Sequence, residues 1–127
     1  RRFDAGTPPV PNIYAGVAGL SLVEETGVPA IEEHVRGLNT RLIDGLTELG
    51  ATVVTPADPA RRGPLVCVRS TDAPALVASL AEERIICSLR DTSLRIAAHF
   101  YNTAAEVQHA MDVLDEVVAR QGSGFRV

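Results

Sequence analysis

A chain of 127 residues with 46% hydrophobic side chains amounts to one domain, long enough to bury roughly two-thirds of the surface its unfolded form exposes. Its 12 basic and 16 acidic residues leave a net charge of −4, which argues against a nucleic-acid groove or an anionic membrane surface as its partner. No apolar run approaches the ~18 residues of a membrane span and no signal peptide is visible, so a cytoplasmic protein is expected.

In chain order, residues 1–12 read as a loop, because Gly6-Thr7-Pro8-Pro9 and Pro11 neither continue a helix nor sit in a central strand. A helix is expected from a cap at Asn12, with Ile13, Val17 and Leu20 on one side and the small residues Ala15, Gly16, Ala18 and Gly19 on the other. Such a small face normally lets another backbone approach closely. Gly27-Val28-Pro29 ends this helix and starts the next. There Ile31, Val35, Leu38, Leu42, Leu46 and Leu49 form an unbroken apolar stripe, and Gly50 supplies the left-handed stop. The period then changes to that of strands at Thr52–Thr55, Leu65–Val68, Ile85–Ser88 and Leu94–Ala97. A short helix entered through Thr71-Asp72-Ala73-Pro74 runs to about Arg84, and a last helix spans Ala104 to about Arg120. The Gly/Ser-containing segment from Gln121 to Val127 reads as a frayed tail. The order α-α-β-β-α-β-β-α predicts an α+β fold: a mainly antiparallel sheet of three to four strands with helices on one face.

Two absences bound the chemistry. All 12 basic residues are arginine, so the chain supplies no Schiff-base lysine. The chain opens on Arg1-Arg2-Phe3 rather than on Met, which suggests an excerpt or a processed chain. Cys67 and Cys87 sit in apolar runs and read as reduced, small hydrophobes, although Arg90 near Cys87 gives that thiol some claim to reactivity. His34, His99 and His109 lack metal-ligand spacing, and no metal site is expected. Ser88, His99 and Asp91 supply the residue types of a hydrolytic triad without a nucleophile elbow. The carboxylates at Glu24-Glu25 and Asp112-Asp115-Glu116 fall on solvated helix faces, and Arg61-Arg62 reads as loop solubility.

The stretch Leu94-Arg95-Ile96-Ala97-Ala98-His99-Phe100-Tyr101-Asn102-Thr103 joins an apolar strand carrying one arginine to an aromatic corner and a helix start. Thr103 and Glu106 have the spacing of a capping box. An arginine held at a strand end is a good carboxylate or phosphate clamp, because its planar fork offers paired donors. This segment, continued through Ala104-Ala105-Glu106-Val107, and Phe3-Asp4-Ala5-Gly6-Thr7-Pro8 at the start together resemble the class V aminotransferase-fold enzymes. That group includes cysteine desulfurases, selenocysteine lyases, isopenicillin-N-epimerase-like proteins and, more distantly, kynureninases.

The resemblance covers nearly the whole chain and is to about the last third of such an enzyme. It implies that residues 1–26 are the end of a large domain with its linking helix, 27–121 the C-terminal small domain, and 122–127 a flexible tail. It also implies pyridoxal 5′-phosphate as the cofactor of the intact enzyme, a small amino-acid substrate, and a second subunit in a homodimer. Arg95 would grip the substrate carboxylate, and Thr7 with Gly6 would reach the cofactor phosphate. The family's cofactor-binding lysine, the aspartate that pairs with its ring nitrogen and its phosphate loop are missing, so the chain alone is expected to be inactive. Desulfurases carry a cysteine on a loop before the arginine strand, whereas here only Leu89 to Ser93 connect the strands. Transamination, epimerisation or lyase chemistry is expected in preference to desulfuration. Two other readings remain at this level: a free-standing α+β module that binds a small carboxylate through Arg95, and a dimerisation domain built on the small-residue helix.

Overall fold

A computed structural model describes residues 6–121 and residue 125. The chain divides into two compact units, Arg1–Glu32 and Glu33–Val127. In the first unit, helix α1 (Val10–Thr26) starts earlier than the expected cap at Asn12. Pro9 is the N-cap and Pro11 lies in the first turn, where a missing N–H costs nothing because no carbonyl waits for it. Helix α1 is apolar along its whole circumference and buries none of its residues. A Cβ on Gly16 or Gly19 would meet no atom within 4 Å, so the expected close backbone approach is absent among the described residues. Gly27 (φ 85) closes α1, its N–H donating to the Val23 carbonyl, and helix α2 (Val28–Glu48) follows at once.

The second unit contains the sheet. Strands β1 (Leu65–Arg69), β2 (Ser88–Arg90) and β3 (Ser93–Ala97) lie in the order β1-β3-β2, antiparallel throughout. Helix α3 (Ala73–Glu82) connects β1 to the β2–β3 hairpin, and α4 (Ala104–Gln121) follows β3. This is the expected α+β arrangement, with three strands. Leu38, Leu42 and Leu46 of α2, Leu76 and Leu80 of α3, and Val107, Met111, Leu114 and Val117 of α4 pack with Val66, Val68 and Leu94 in one core. Phe125 belongs to the same core at 2% exposure; the other residues of the expected tail, 122–127, lie outside the described ones.

Two expected strands are shorter than their composition suggests. Thr52–Thr55 makes a single bridge, Val53 to Val68. The Thr55 hydroxyl, rather than a backbone group, receives the Cys67 N–H (2.8 Å) and donates to the Leu65 carbonyl (3.2 Å), so the ladder ends in a side chain before Pro56. Ile85–Cys87 is irregular because its backbone first closes α3. Ile85 N–H donates to the Leu80 carbonyl (2.9 Å) and Arg84 N–H to that of Ala81 (3.0 Å), with Arg84 at φ 62. That is a Schellman stop with arginine in the left-handed position. Gly50 (φ 74) closes α2 in the same way, with Ala51 N–H on Leu46 and Gly50 N–H on Thr47, both at 2.9 Å. The left-handed conformation disfavours a residue with a Cβ. Arg84→Gly should therefore raise unfolding stability by about 0.5–1 kcal/mol, measured by urea denaturation; a loss of stability would mean that the arginine side chain does more at this site than close the helix.

Candidate functional site

Strand β3 alternates strictly. Leu94 and Ile96 pack on the helix side, opposite Val68 and Val66 of β1. Ser93, Arg95 and Ala97 therefore face away from the core. Arg95 occupies the middle of the central strand, across from Cys67 on β1 and Ser88 on β2. It is half-buried, and its side chain makes no hydrogen bond or ion pair with another described residue. A guanidinium held by a three-stranded sheet and unpaired among the described residues is positioned to receive an anion.

Beyond β3 the chain turns through the aromatic corner. Asn102 fixes this turn from both ends: its Oδ1 accepts from the His99 N–H (2.9 Å), and its own N–H donates to the His99 carbonyl (2.9 Å). The His99 and Tyr101 rings stack with centroids 4.7 Å apart, and Phe100 packs edge-on to Tyr101. His34 of α2 donates from Nε2 to the Asn102 carbonyl at 2.8 Å, which ties the corner to a second helix. The capping box forms as its spacing predicts. Thr103 N–H donates to Glu106 Oε2 (2.7 Å), and Glu106 N–H donates to the Thr103 hydroxyl oxygen (3.2 Å). The backbone N–H of Thr103, then its hydroxyl, and to a smaller extent the Asn102 side chain hold the Glu106 carboxyl below the ordinary carboxylate range. The end of β3 is thus held by a strand ladder on one side and a capped helix on the other.

The other polar candidates are less suited to chemistry. Cys87 lies just before β2 rather than within a strand, half-buried, and burial pushes its thiol up to about 11, so it stays protonated near neutrality. It lines an open cavity of about 490 Å³ with Ile85, Ala98, Tyr101, Asn102 and His109, on the helix side of the sheet and away from Arg95. No group of three or more metal-ligating side chains occurs among the described residues, and no helix among them is long and apolar enough to cross a membrane. Gly6 and Thr7 belong to the first unit. Both are exposed, and Gly6 sits at φ 136, a conformation that a side chain would strain.

Two residues that the sequence alone does not join to Arg95 share its face. Arg69 and Arg90 lie in one cross-strand row through Ser93, so both project from the same side of the sheet as Arg95. The signal was the period-2 alternation of β1 and β2, which becomes readable only once the hairpin register is known.

The class defined by this geometry is an α+β domain with its helices on one sheet face and an arginine on the other. The chain belongs to the kynureninase C-terminal domain family, whose model matches residues 31–114. An uncharacterized aminotransferase of Bacillus subtilis, YcbU, is 33% identical over 120 residues, covering 94% of this chain and 31% of its own length. A probable cysteine desulfurase of Pyrococcus abyssi is 30% identical, covering 92% of this chain and 33% of its own. Among solved structures, an apo cysteine desulfurase from Thermococcus onnurineus shares the fold at a TM-score of 0.88 and 24% identity, over 94% of this chain and 34% of that one. The chain thus spans about a third of the length of the relatives it matches.

The capped corner carries a direct test. Thr103→Ala should cost about 0.5–2 kcal/mol of stability. The Glu106 carboxyl is lowered in the folded chain, so its contribution is present above its unfolded pKa and lost as pH falls through the folded one. Glu106→Gln should flatten that acid-side fall in thermal stability; an unchanged pH profile would remove the box from the account.

Proposed function

We propose that this chain is the substrate-gripping C-terminal domain of a pyridoxal-phosphate-dependent enzyme of the class V aminotransferase group, acting on an amino acid by transamination, epimerisation or lyase chemistry. The observation that carries this is Arg95: central in the sheet, half-buried, and unpaired among the described residues of a kynureninase C-terminal family domain. In this reading the guanidinium takes the substrate α-carboxylate with two parallel N–H donors and sets the amino acid's orientation. The β1–β3–β2 ladder and the capped corner hold the strand that carries it.

The residues present fit the cofactor in part. Gly6 and Thr7 offer N–H and hydroxyl donors of the kind a phosphate accepts, while the chain has no lysine to hold the group covalently. When bound, pyridoxal phosphate supplies an electron sink for charge at the substrate α-carbon. This chain's part is to bind and orient the carboxylate through Arg95 and to contribute to the phosphate site through Gly6 and Thr7. The lysine, the ring-nitrogen partner and the rest of the pocket come from a large domain, and the working unit is a homodimer in the cytoplasm. Helix α1, apolar all round with Ile13, Tyr14, Val17 and Leu20 exposed, has the composition of a helix buried in a larger assembly and supports that reading. The protonated, half-buried Cys87 and the two-residue β2–β3 turn favour these reactions over desulfuration, which needs a reactive thiol on an accessible loop.

In the intact enzyme, Arg95→Gln should weaken amino-acid binding by about 10- to 100-fold while leaving cofactor binding unchanged, as followed by titrating the cofactor absorbance. The 127-residue chain, mixed with pyridoxal phosphate and reduced with borohydride, should gain no pyridoxyl mass on any side chain. Unaltered amino-acid affinity in the Arg95 variant would defeat the proposal.

A further inference from the structure

On the side turned away from the core, the described strand residues include three arginines and no carboxylate. Arg69 of β1, Ser93 of β3 and Arg90 of β2 form one cross-strand row; Cys67, Arg95 and Ser88 form another, two residues along. Within this register Arg95 has Arg69 and Arg90 as its two diagonal neighbours, at about 7–8 Å between Cα atoms, a spacing that long side chains bridge. The faces of the strands are not in doubt, since the alternate residues Val66, Val68 and Leu94 are fully buried in the core.

Like charges placed this way repel one another unless an anion lies between them. None is supplied by the described residues. The side chains of Arg69, Arg90 and Arg95 make no hydrogen bond or ion pair with any of them. The nearest carboxylates along the chain are otherwise placed: Asp72 caps α3 by accepting from the Ala75 N–H at 3.1 Å, and Asp91 is exposed in the β2–β3 turn at φ 52 without pairing to Arg90. A chain with net negative charge has thus placed three of its 12 basic residues on the sheet face turned away from the core. One α-carboxylate satisfies one bidentate fork, which leaves two cations beside it.

We infer that this face recognises an amino acid with a second anionic group, an aminodicarboxylate, with Arg95 on the α-carboxylate and Arg69 and Arg90 on the side-chain carboxylate. The inference rests on the Arg95 reading given above. It adds a specificity device that Arg95 alone does not provide, because a neutral side chain set against Arg69 and Arg90 leaves both cations uncompensated.

The test uses the 127-residue chain and three probes at fixed ionic strength: L-glutamate, L-alanine and inorganic phosphate, followed through the arginine Nε–H resonances. L-Glutamate should shift the signals of all three arginines and bind about tenfold or more tightly than L-alanine, which should shift Arg95 alone. Arg69→Gln with Arg90→Gln should bring L-glutamate down to the affinity of L-alanine while leaving L-alanine binding intact, which also shows that the variant is folded. Equal affinity for L-glutamate and L-alanine in the unmodified chain would overturn the second-anion inference and leave Arg95 as the carboxylate residue. Phosphate binding as tightly as L-glutamate would overturn it as well, by showing a general anion surface. If neither amino acid shifts Arg95, or Arg95→Gln binds L-glutamate as before, the carboxylate reading of Arg95 fails and the inference falls with it.

Discussion

Leu94 and Ile96 pair with Val68 and Val66 across the β1–β3 ladder, and that pairing decides which side of the sheet is covered. Helices α2, α3 and α4 all bury their apolar stripes against these side chains. With a side-chain period of two, the same register must turn Arg95, Arg69 and Ser93 to the opposite face. A slip of one residue would put a guanidinium into the core and expose Leu94, at a cost far above any local preference. The register is thus the constraint on which both the core and the candidate site depend.

The ends of the elements make that register durable. The β2–β3 connection is a two-residue turn with Asp91 at φ 52, so the hairpin has little freedom to slide. Helix α3 is stopped by two backbone hydrogen bonds at Arg84 and Ile85, and α4 is started by the Thr103–Glu106 box immediately after the aromatic corner. On its outer edge, β1 is covered by Val53 and the Thr55 hydroxyl rather than left open. These contacts are local, yet together they fix the strand that carries Arg95 at both ends.

Much of this was legible in the residues. The α2 stripe, the α3 entry at Thr71–Pro74, the Thr103–Glu106 box and the arginine in an apolar strand each follow from a short-range rule, and each occurs as expected. The misses have physical causes. Arg84 takes a left-handed stop that composition assigns to glycine, and the backbone that closes α3 there keeps Ile85–Cys87 out of the expected strand. Thr55 substitutes a hydroxyl for a ladder partner, which no propensity anticipates. Asn39, polar and outside the apolar stripe, is nevertheless buried at 2% and donates to the Gly63 carbonyl.

The sequence by itself determined the element types, the α+β class and the family, because these depend on period, capping chemistry and a motif of contiguous residues. It also determined that the chain cannot hold pyridoxal phosphate on a lysine. The tertiary structure decided what lies beside Arg95. Arg69 and Arg90 are 26 and 5 positions away along the chain, and only the antiparallel register through Ser93 brings them onto its face. It likewise decided that Cys87 is half-buried with its thiol pushed up, since burial depends on the surrounding core and not on the neighbouring Arg90. Contiguous chemistry can be read along a chain, whereas a cross-strand cluster exists only after the strands have paired.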